Sequence, residues 1–334
     1  MISQHDLPPA GTAAPAAMRS SFLEFSDPGA FSSAIPGGRF GILPMDNAPF
    51  RASMELGALS AGLVSRRIRT GPPVSMRAEF TGSARSIILL LPMDPAPRAV
   101  LDGREMSGCT VVTRLPGDTP HLRTYGETEL AAIVLVSDLL RRASAALTGE
   151  EHDRLLQMPG RLRAVEAPRL QRLRLEIGRL GRVIRQPALE MRDLAVLRRS
   201  LIAAIVDTVA GSDVKSDHLA TRLQTLSMAR IERQIDEARN DPIGLQELCE
   251  GTGLALRTIE TIVKRRTGMS AHAYLARRRL AFAREALVSP APETSVTRIA
   301  MDHGFYHLGR FSGFYRGVYG ETPSVTLRRA LAGG

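Results

Sequence analysis

The first half of the chain and the second half differ in how their apolar residues are spaced. Between about residues 50 and 137, short apolar or alternating runs are separated by turn residues, which predicts β-strands. The runs are ELGALSAGLVS, ARSIILLLP, RAVLDGREM, CTVVTRLPGD and ELAAIVLVS. Asp102-Gly103 lies between two short runs and predicts a hairpin turn. Several short strands at this spacing indicate a β-barrel or a double-sheet module.

After Ser137 the apolar spacing becomes helical. Residues 166–185 and 188–210 form two segments rich in Arg and Leu, and Pro187 separates them. Apolar residues recur in them at spacings of three and four, on one face of each predicted helix. They are Leu170, Leu173, Ile177, Leu180 and Ile184, then Leu194, Leu197, Leu201, Ile205 and Val209. This helical hairpin either covers the β-module or forms a self-association surface, and the spacing leaves both open.

The last third of the chain contains a repeated unit. Leu248-Cys249 is followed after three residues by Gly253, and Ile299-Ala300 is followed after three residues by Gly304, an offset of 51. Beyond these glycines the offset is 52. It relates Ile259 to Phe311, Val263 to Tyr315, Lys264 to Arg316 and Gly268 to Gly320. The repeat predicts that one helix-turn-helix unit has been used twice.

The residue types of the repeat meet the physical demands of a helix-turn-helix. Two helices that cross steeply need a small residue at their contact, here Cys249 and Ala300, and a permissive turn residue, here Gly253 and Gly304. The second helix of each unit buries one stripe and offers the opposite face to the major groove. The predicted buried stripes are Leu256, Ile259, Ile262 and Val263, and Leu308, Phe311, Phe314 and Tyr315.

Further helices are predicted around the two units. The first helix of the array is expected at 228–239, and Thr294 or Ser295 is expected to cap the helix that starts the second unit. Between the units, 270–288 predicts a helix roughly 28 Å long. This length nearly spans one turn of B-DNA, so the two recognition helices would enter successive major-groove segments on one side of a duplex.

Composition and charge agree with a folded protein that meets a polyanion. The 334 residues are 44% apolar and 23% charged. The net charge is +10, and the excess lies in the rear: residues 1–149 hold 14 basic and 13 acidic side chains, whereas 216–334 hold 17 and 12. Nucleic acid is the commonest partner of such a basic region. Cys109 and Cys249 lack CxxC spacing, which argues against a disulfide framework or a thiolate zinc site.

Residues 228–330 resemble the DNA-binding domain of the AraC/XylS family of bacterial transcription regulators. The resemblance is carried by Ile299-Ala300-x-x-x-Gly304-Phe305, Leu308-Gly309-Arg310-Phe311-Ser312, Tyr319-Gly320-Glu321-Thr322-Pro323 and Thr326-Leu327-Arg328, and in the first unit by Gly253, Arg257-Thr258-Ile259 and Gly268-Met269-Ser270. It implies an intracellular, ligand-responsive regulator that binds promoter DNA. By position and texture, the β-module before it looks like the cupin-like sensor of many members.

The chain departs from the family pattern at four positions. Ala255 stands where Ser is often found, and Val263 stands where an aromatic residue is common. Thr261 and Gly313 stand where the family commonly has Arg. The preference for particular bases should therefore differ from that of better-known relatives.

We predict the DNA-contacting residues from helix position and side-chain chemistry. In the first unit, base-edge contacts are predicted for Arg257, Thr258, Glu260 and Thr261, and phosphate contacts for Lys264 and Arg265. In the second unit, the groove-facing residues are predicted to be His307, Gly309, Arg310, Ser312 and Gly313, and Arg316 is predicted to face the phosphate backbone.

Catalytic chemistry has little support in the sequence. His121, with Asp118 and Glu127 nearby, is the only hint of a metal site, and no second His falls on the same strand. The motifs GxSxG, Walker A and GxGxxG are absent. We therefore predict no enzymatic activity, no cofactor and no metal. The alternative is a metal-dependent cupin-type enzyme fused to a DNA-binding domain.

The predicted fold class is α+β, with an N-terminal cupin-like β-module and helical hairpin and a C-terminal all-α domain with two helix-turn-helix units. The predicted divisions are a loose leader at 1–20, a sensor at 21–150, the hairpin at 151–215 and the DNA-binding domain at 216–334. We expect a cytoplasmic activator of transcription with no membrane contact, since no membrane-spanning run or secretory signal is evident. Its expected partners are double-stranded promoter DNA, RNA polymerase and a small-molecule effector, and a homodimer is an open alternative.

Overall fold

The structure is a computed structural model, and it describes residues 20–60, 62–81, 85–115, 119–148, 162–184, 191–214, 219–291 and 293–332. The strands are β1 (Ser20–Phe25), β2 (Gly38–Pro44), β3 (Ala52–Ser60), β4 (Leu63–Thr70), β5 (Val74–Phe80), β6 (Ser86–Pro92), β7 (Ala99–Leu101), β8 (Arg104–Glu105), β9 (Thr110–Arg114), β10 (His121–Thr124), β11 (Thr128–Val136), β12 (Leu162–Val165) and β13 (Ser212–Val214). The helices are α1 (Pro28–Ala34), α2 (Ser137–Thr148), α3 (Ala167–Ile184), α4 (Met191–Ala210), α5 (Leu219–Glu237), α6 (Leu245–Thr252), α7 (Leu256–Thr267), α8 (Ala271–Val288), α9 (Val296–Asp302), α10 (Leu308–Tyr319) and α11 (Pro323–Ala332).

The β-module consists of two antiparallel sheets. The larger sheet has the order β1-β3-β4-β11-β6-β9-β12-β13, and the smaller has the order β2-β5-β10-β7-β8. Alternation along the strands gives the larger sheet two apolar faces. Leu56, Leu90 and Leu130 face the core between the sheets, whereas Leu89 and Ile133 face α3 and α4. The expected double-sheet module and the α+β fold class are thus confirmed.

The strand predictions differ from the structure in two ways: one predicted run contains parts of two strands, and two strands lie outside the predicted region. The run ELGALSAGLVS contains parts of two strands, because the chain turns back near Gly62 and Ser60 pairs with Leu63. β1 and β2 lie before the predicted strand region, and neither contains a long apolar run. The Asp102-Gly103 hairpin is confirmed. Both residues have positive φ values, 51° and 77°, which a tight two-residue turn requires.

The predicted helical hairpin covers the outer face of the larger sheet. Four residues of the α3 stripe (Leu170, Leu173, Ile177, Leu180) and four of the α4 stripe (Leu197, Leu201, Ile205, Val209) are at most 6% exposed. Most of them belong to the core that contains Leu89 and Ile133. The β-module therefore covers the apolar stripe of the hairpin. This agrees with the first of the two open interpretations, in which the hairpin packs on the β-module. Pro187 and residues 1–19 of the predicted leader lie outside the described residues.

Seven helices, α5 to α11, form the described part of the C-terminal domain, and they enclose two cores. The first core contains Tyr274, Leu275 and Phe282 of α8 packed with α5, α6 and α7. The second contains Leu280 and Leu287 of the same helix packed with α9, α10 and α11. α8 is therefore apolar on more than one side and joins the two helix-turn-helix units as a shared element. Its 18 residues correspond to about 27 Å.

One residue of the predicted α7 stripe and two of the predicted α10 stripe are not fully buried. Leu256 is 50% exposed and Leu308 is 38% exposed, so their predicted burial is wrong. Each is the first residue of its helix, where a side chain points back beyond the helix end and finds little to cover it. Phe314 is half-buried. The predicted residues Ile259, Ile262, Val263, Phe311 and Tyr315 are buried, and Val318 completes the second stripe.

Candidate DNA-binding interface

The two recognition helices, α7 and α10, are built alike. Each has 12 residues, and each ends at a glycine in the left-handed region, Gly268 with φ of 78° and Gly320 with φ of 74°. The N–H of Gly268 donates to Lys264 O and that of Gly320 donates to Arg316 O, both at 2.8 Å. The preceding turns also match, since Gly253 and Gly304 have positive φ values of 65° and 77°. The predicted duplication is therefore present in the backbone.

The recognition helices begin differently from the helices that support them. The Ser270 side chain accepts a hydrogen bond from Ala273 N at the start of α8, and the Ser295 side chain accepts one from Arg298 N at the start of α9. At the start of α7 and α10, Ala255 and His307 make no side-chain cap. The first N–H groups of both recognition helices are thus left without a side-chain acceptor, and such groups bind phosphate readily.

The first unit presents most of its predicted contact residues to solvent. Arg257, Thr258, Thr261 and Lys264 are exposed. Glu260 is half-buried, and its Oε2 accepts the Ala271 N–H at 3.1 Å. One carboxylate oxygen of Glu260 therefore joins α7 to the start of α8.

Arg265 is exposed, but its side chain lies against the β-module. A Cβ built on Gly103 would be 3.1 Å from Cγ and Nε of Arg265. The guanidinium of Arg265 is therefore positioned beside the β7–β8 turn in this arrangement.

The second unit leaves its predicted groove face uncovered. His307, Gly309, Arg310, Gly313 and Arg316 are exposed, and Ser312 is half-buried. A Cβ at Gly309 or Gly313 would meet no atom within 4 Å. Both glycines thus expose bare backbone on the outer side of α10, where a partner can approach closely.

The end of α7 is fixed to the β-module by a buried ion pair that the sequence did not reveal. Arg266 is 1% exposed, and its Nη1 lies 2.7 Å from Asp102 Oδ1 in the β7–β8 turn. Asp102 also pairs with Arg114 and accepts the His121 N–H at 2.9 Å. Burial alone would raise the pKa of Asp102, but Arg114 and Arg266 hold this pKa below its usual value. In the sequence, Arg266 belongs to a basic run that suggests phosphate contacts.

A second group of charges lies between α5 and the smaller sheet. Glu232, 3% exposed, accepts a 2.8 Å hydrogen bond from the Tyr274 hydroxyl and pairs with Arg77 Nε of β5 at 2.8 Å. His121 Nδ1 lies 3.5 Å from the same carboxylate, and burial lowers the pKa of His121. Arg77 also contacts Asp236 at 2.6 Å. The C-terminal domain is therefore docked on the β-module through paired charges.

His121, the residue at which the sequence hinted at a metal site, contacts a carboxylate of the C-terminal domain. His121 is occupied by the Glu232 contact, and Asp118 lies outside the described residues. Within the described ranges, no cluster of three His, Cys, Asp or Glu side chains is arranged to hold a metal ion. Likewise, no helix in these ranges is long and apolar enough to span a membrane.

Comparisons with known proteins match the C-terminal domain. The family model described as "Helix-turn-helix domain" matches residues 248–329. The XylDLEGF operon transcriptional activator 1 of Pseudomonas putida is 38% identical over 104 residues, which are 31% of this chain and 31% of that protein. The crystal structure of a probable AraC family transcriptional regulator from Rhodopseudomonas palustris CGA009 is 36% identical, with a match covering 31% of this chain and 97% of that chain and a TM-score of 0.29.

Another similar protein is the probable thc operon regulatory protein of Rhodococcus erythropolis, 31% identical over 88 residues, or 26% of each chain. This chain spans about a third or less of the length of these two curated relatives.

Two linked helix-turn-helix units with exposed recognition helices define a DNA-binding domain of the double helix-turn-helix class. The C-terminal domain of this chain is a helix-turn-helix domain of the AraC/XylS type. The resemblance of the C-terminal residues to this family is thus confirmed.

Proposed function

We propose that the protein is a sequence-specific transcription regulator that reads two adjacent major-groove segments of promoter DNA. The observation that carries this proposal is the matched pair α7 and α10, held by one shared helix, with their polar surfaces exposed. Arg257 and Thr261 on α7 and Arg310 on α10 would contact base edges, while Lys264 and Arg316 would contact phosphates. We assign no catalytic role to the chain.

We propose four segments with separate roles, in order along the chain. A leader at 1–20 precedes a sensor at 21–150, a hairpin at 151–215 and the DNA-binding domain at 216–334. The protein would act in the cytoplasm, recruit RNA polymerase as an activator and respond to a small molecule. The docked charges at Asp102 and Glu232 support a sensor that influences α7, because both groups join the β-module to the first unit.

Self-association would have to use a surface other than the buried stripe of the hairpin. Leu175 of α3 and Val196 of α4 are each 56% exposed and lie outside that stripe. A homodimer formed through these outer faces is compatible with the proposal, and sedimentation of the full chain with and without DNA distinguishes monomer from dimer.

The test is selection of bound duplexes from a random library with the full chain. We expect enriched sites with two base-specific segments whose centres are about 10 bp apart, one helical turn. Arg257→Ala should erase the preference in one segment and Arg310→Ala in the other. Arg142→Ala is the control, because this exposed arginine lies on α2, far along the chain from both recognition helices. Enrichment of a single segment, or of none, would contradict the proposal.

A further inference from the structure

The space between the two sheets of the β-module contains a cavity with one charged residue in its wall. The cavity volume is about 60 Å³. The wall is otherwise almost wholly apolar. It includes Phe40, Ile68, Met76, Leu90 and Leu122, and the charged residue is Arg66.

Arg66 is held in apolar surroundings by its position on β4. In the larger sheet its neighbours in register are Leu56 on β3 and Ala132 on β11. Only 8% of Arg66 is exposed, and its Nε is buried without a hydrogen-bond partner. Burial lowers the pKa of Arg66 to about 10, with no contribution from a carboxylate. A buried guanidinium without an anion is costly, because its desolvation is not compensated.

The other buried arginines of the described chain show what is missing at Arg66. Seven arginines are buried, and for six of them an acceptor is present. Arg266 pairs with Asp102, Arg278 with Asp236 and Arg284 with Asp27. For Arg66, the described residues supply neither a carboxylate nor a carbonyl acceptor. Within the described ranges, the charge of Arg66 is therefore not neutralised by another residue.

We propose that this cavity binds a small organic acid whose carboxylate pairs with Arg66 and whose apolar body packs against the cavity wall. The proposal rests on the proposed function and names the chemical class of its effector. A guanidinium and a carboxylate form two parallel hydrogen bonds, which suits a planar monoanion. A dianion would bring a second charge into a wall with a single cation. A neutral analogue would leave Arg66 unpaired.

The position of the cavity also connects it to the DNA-binding domain. Leu101 and Leu122 line the cavity. Each is adjacent in sequence to a residue of the docking contacts, Leu101 to Asp102 and Leu122 to His121. An acid in the cavity would therefore act on β7 and β10, since Asp102 directly after β7 contacts Arg266 and His121 of β10 contacts Glu232.

The test uses the full chain and small acids matched with neutral amides. Hexanoate and cyclohexanecarboxylate are compared with hexanamide and cyclohexanecarboxamide by calorimetry and by thermal unfolding. We expect at least one acid to bind with a stoichiometry of one and to raise Tm, and its amide to bind at least tenfold more weakly. Equal affinity for acid and amide, or no saturable binding of either acid, would overturn the proposal.

Variants of Arg66 separate binding from folding. Arg66→Met should abolish the preference for the acid and raise Tm without ligand, because it removes an unpaired buried charge. Arg66→Lys should keep a weakened preference, since it keeps the charge and loses the planar fork. Arg69→Met is the control: Arg69 is on the same strand but its side chain is 53% exposed. Unchanged acid affinity in Arg66→Met would refute the site.

Selection of duplexes from the random library gives a readout that is independent of acid binding. If the chain selects a two-segment site but binds neither acid, the effector proposal fails and the regulator proposal stands. If the chain binds the acid through Arg66 but selects no site, the regulator proposal fails and the site stands.

Discussion

Asp102, in the turn between β7 and β8, lies 2.7 Å from Arg266, in the last turn of the first recognition helix. The pair joins the β-module to the element that we expect to read DNA. Arg266 is almost completely buried, and Asp102 is the carboxylate that pairs with it. A change in the position of the β7–β8 turn must therefore either move α7 with it or separate two desolvated charges.

Removing the carboxylate of this pair should destabilise the protein strongly. Asp102→Asn leaves Arg266 and Arg114 buried without their anion, and breaking a buried pair on one side costs about 3–5 kcal/mol. The free energy of unfolding, measured in urea, should fall by that amount. Asp138→Asn is the control, because Asp138 pairs with Arg141 and Arg142 on the exposed side of α2 and its loss should matter little. Equal losses in the two variants would show that the Asp102 pair is not desolvated.

Acid should weaken the fold through His121. Burial lowers the pKa of His121 in the folded protein, while the unfolded chain has the ordinary value of about 6.5. Below about pH 6.5 the unfolded chain binds more protons, so the free energy of unfolding should fall as pH falls and should be fully retained above that pH. Urea unfolding at pH 7.5, 6.5 and 5.5 measures this dependence.

His121→Gln should flatten that dependence, whereas His272→Gln should not, because His272 is exposed on α8. The groups that face His121 are Glu232 and Asp102, which favour its protonated form, and Arg266 and Arg77, which oppose it. A pH dependence that is the same in wild type and His121→Gln would contradict the assignment.

The two kinds of DNA contact should separate in salt titrations. Arg310→Ala should weaken binding to the selected site by about 1–3 kcal/mol and leave binding to random DNA nearly unchanged, because the loss is a base contact. Lys264→Ala should weaken both and lower the slope of log K against log salt by about 1. Fluorescence anisotropy at several salt concentrations gives both quantities. An equal loss on random DNA from Arg310→Ala would argue against base reading by α10.

Equivalent glycines at the ends of α7 and α10 form an internal control. Gly320→Ala should cost about 1–2 kcal/mol, the penalty of the left-handed conformation, since its Cβ would meet nothing within 4 Å. Gly268→Ala should cost slightly more, because its Cβ would lie 2.3 Å from Nη1 of Arg123 on β10 and this flexible side chain would have to shift. In an Arg123→Ala background the two costs should become similar. Thermal or urea unfolding of the two glycine variants, of Arg123→Ala and of the two double variants tests this. A smaller cost at Gly268 would contradict the close packing of α7 on β10.

Local signals in the sequence predicted much of this architecture. The Asp102-Gly103 turn, the three- and four-residue spacing in α3 and α4, and the glycines at the ends of α7 and α10 each act within a few residues. The alternatives for the cap of α9 are also resolved locally, since Ser295 rather than Thr294 caps the helix. The exposure of Leu256 and Leu308 was missed because periodicity says nothing about where a helix starts.

The docking of the two domains could not be predicted in this way. Asp102 and Arg266 are 164 residues apart, and Arg77 and Asp236 are 159 apart. Each looks like an ordinary surface charge until the fold brings it to its partner. Arg66 shows the same limit, because the strand sequence does not reveal which of the three arginines of β4 faces the cavity or whether a carboxylate lies near it. The predicted base-contacting residues remain predictions.

α8 contributes side chains to both cores of the C-terminal domain, and so its length sets the spacing between the two recognition helices. Inserting one residue near its middle would turn one recognition helix by about 100° relative to the other. In the proposed function, substitutions on the exposed surfaces of α7 and α10 would change the preferred bases one position at a time. The spacing between the two DNA segments would instead be set by α8 and could not change in small steps.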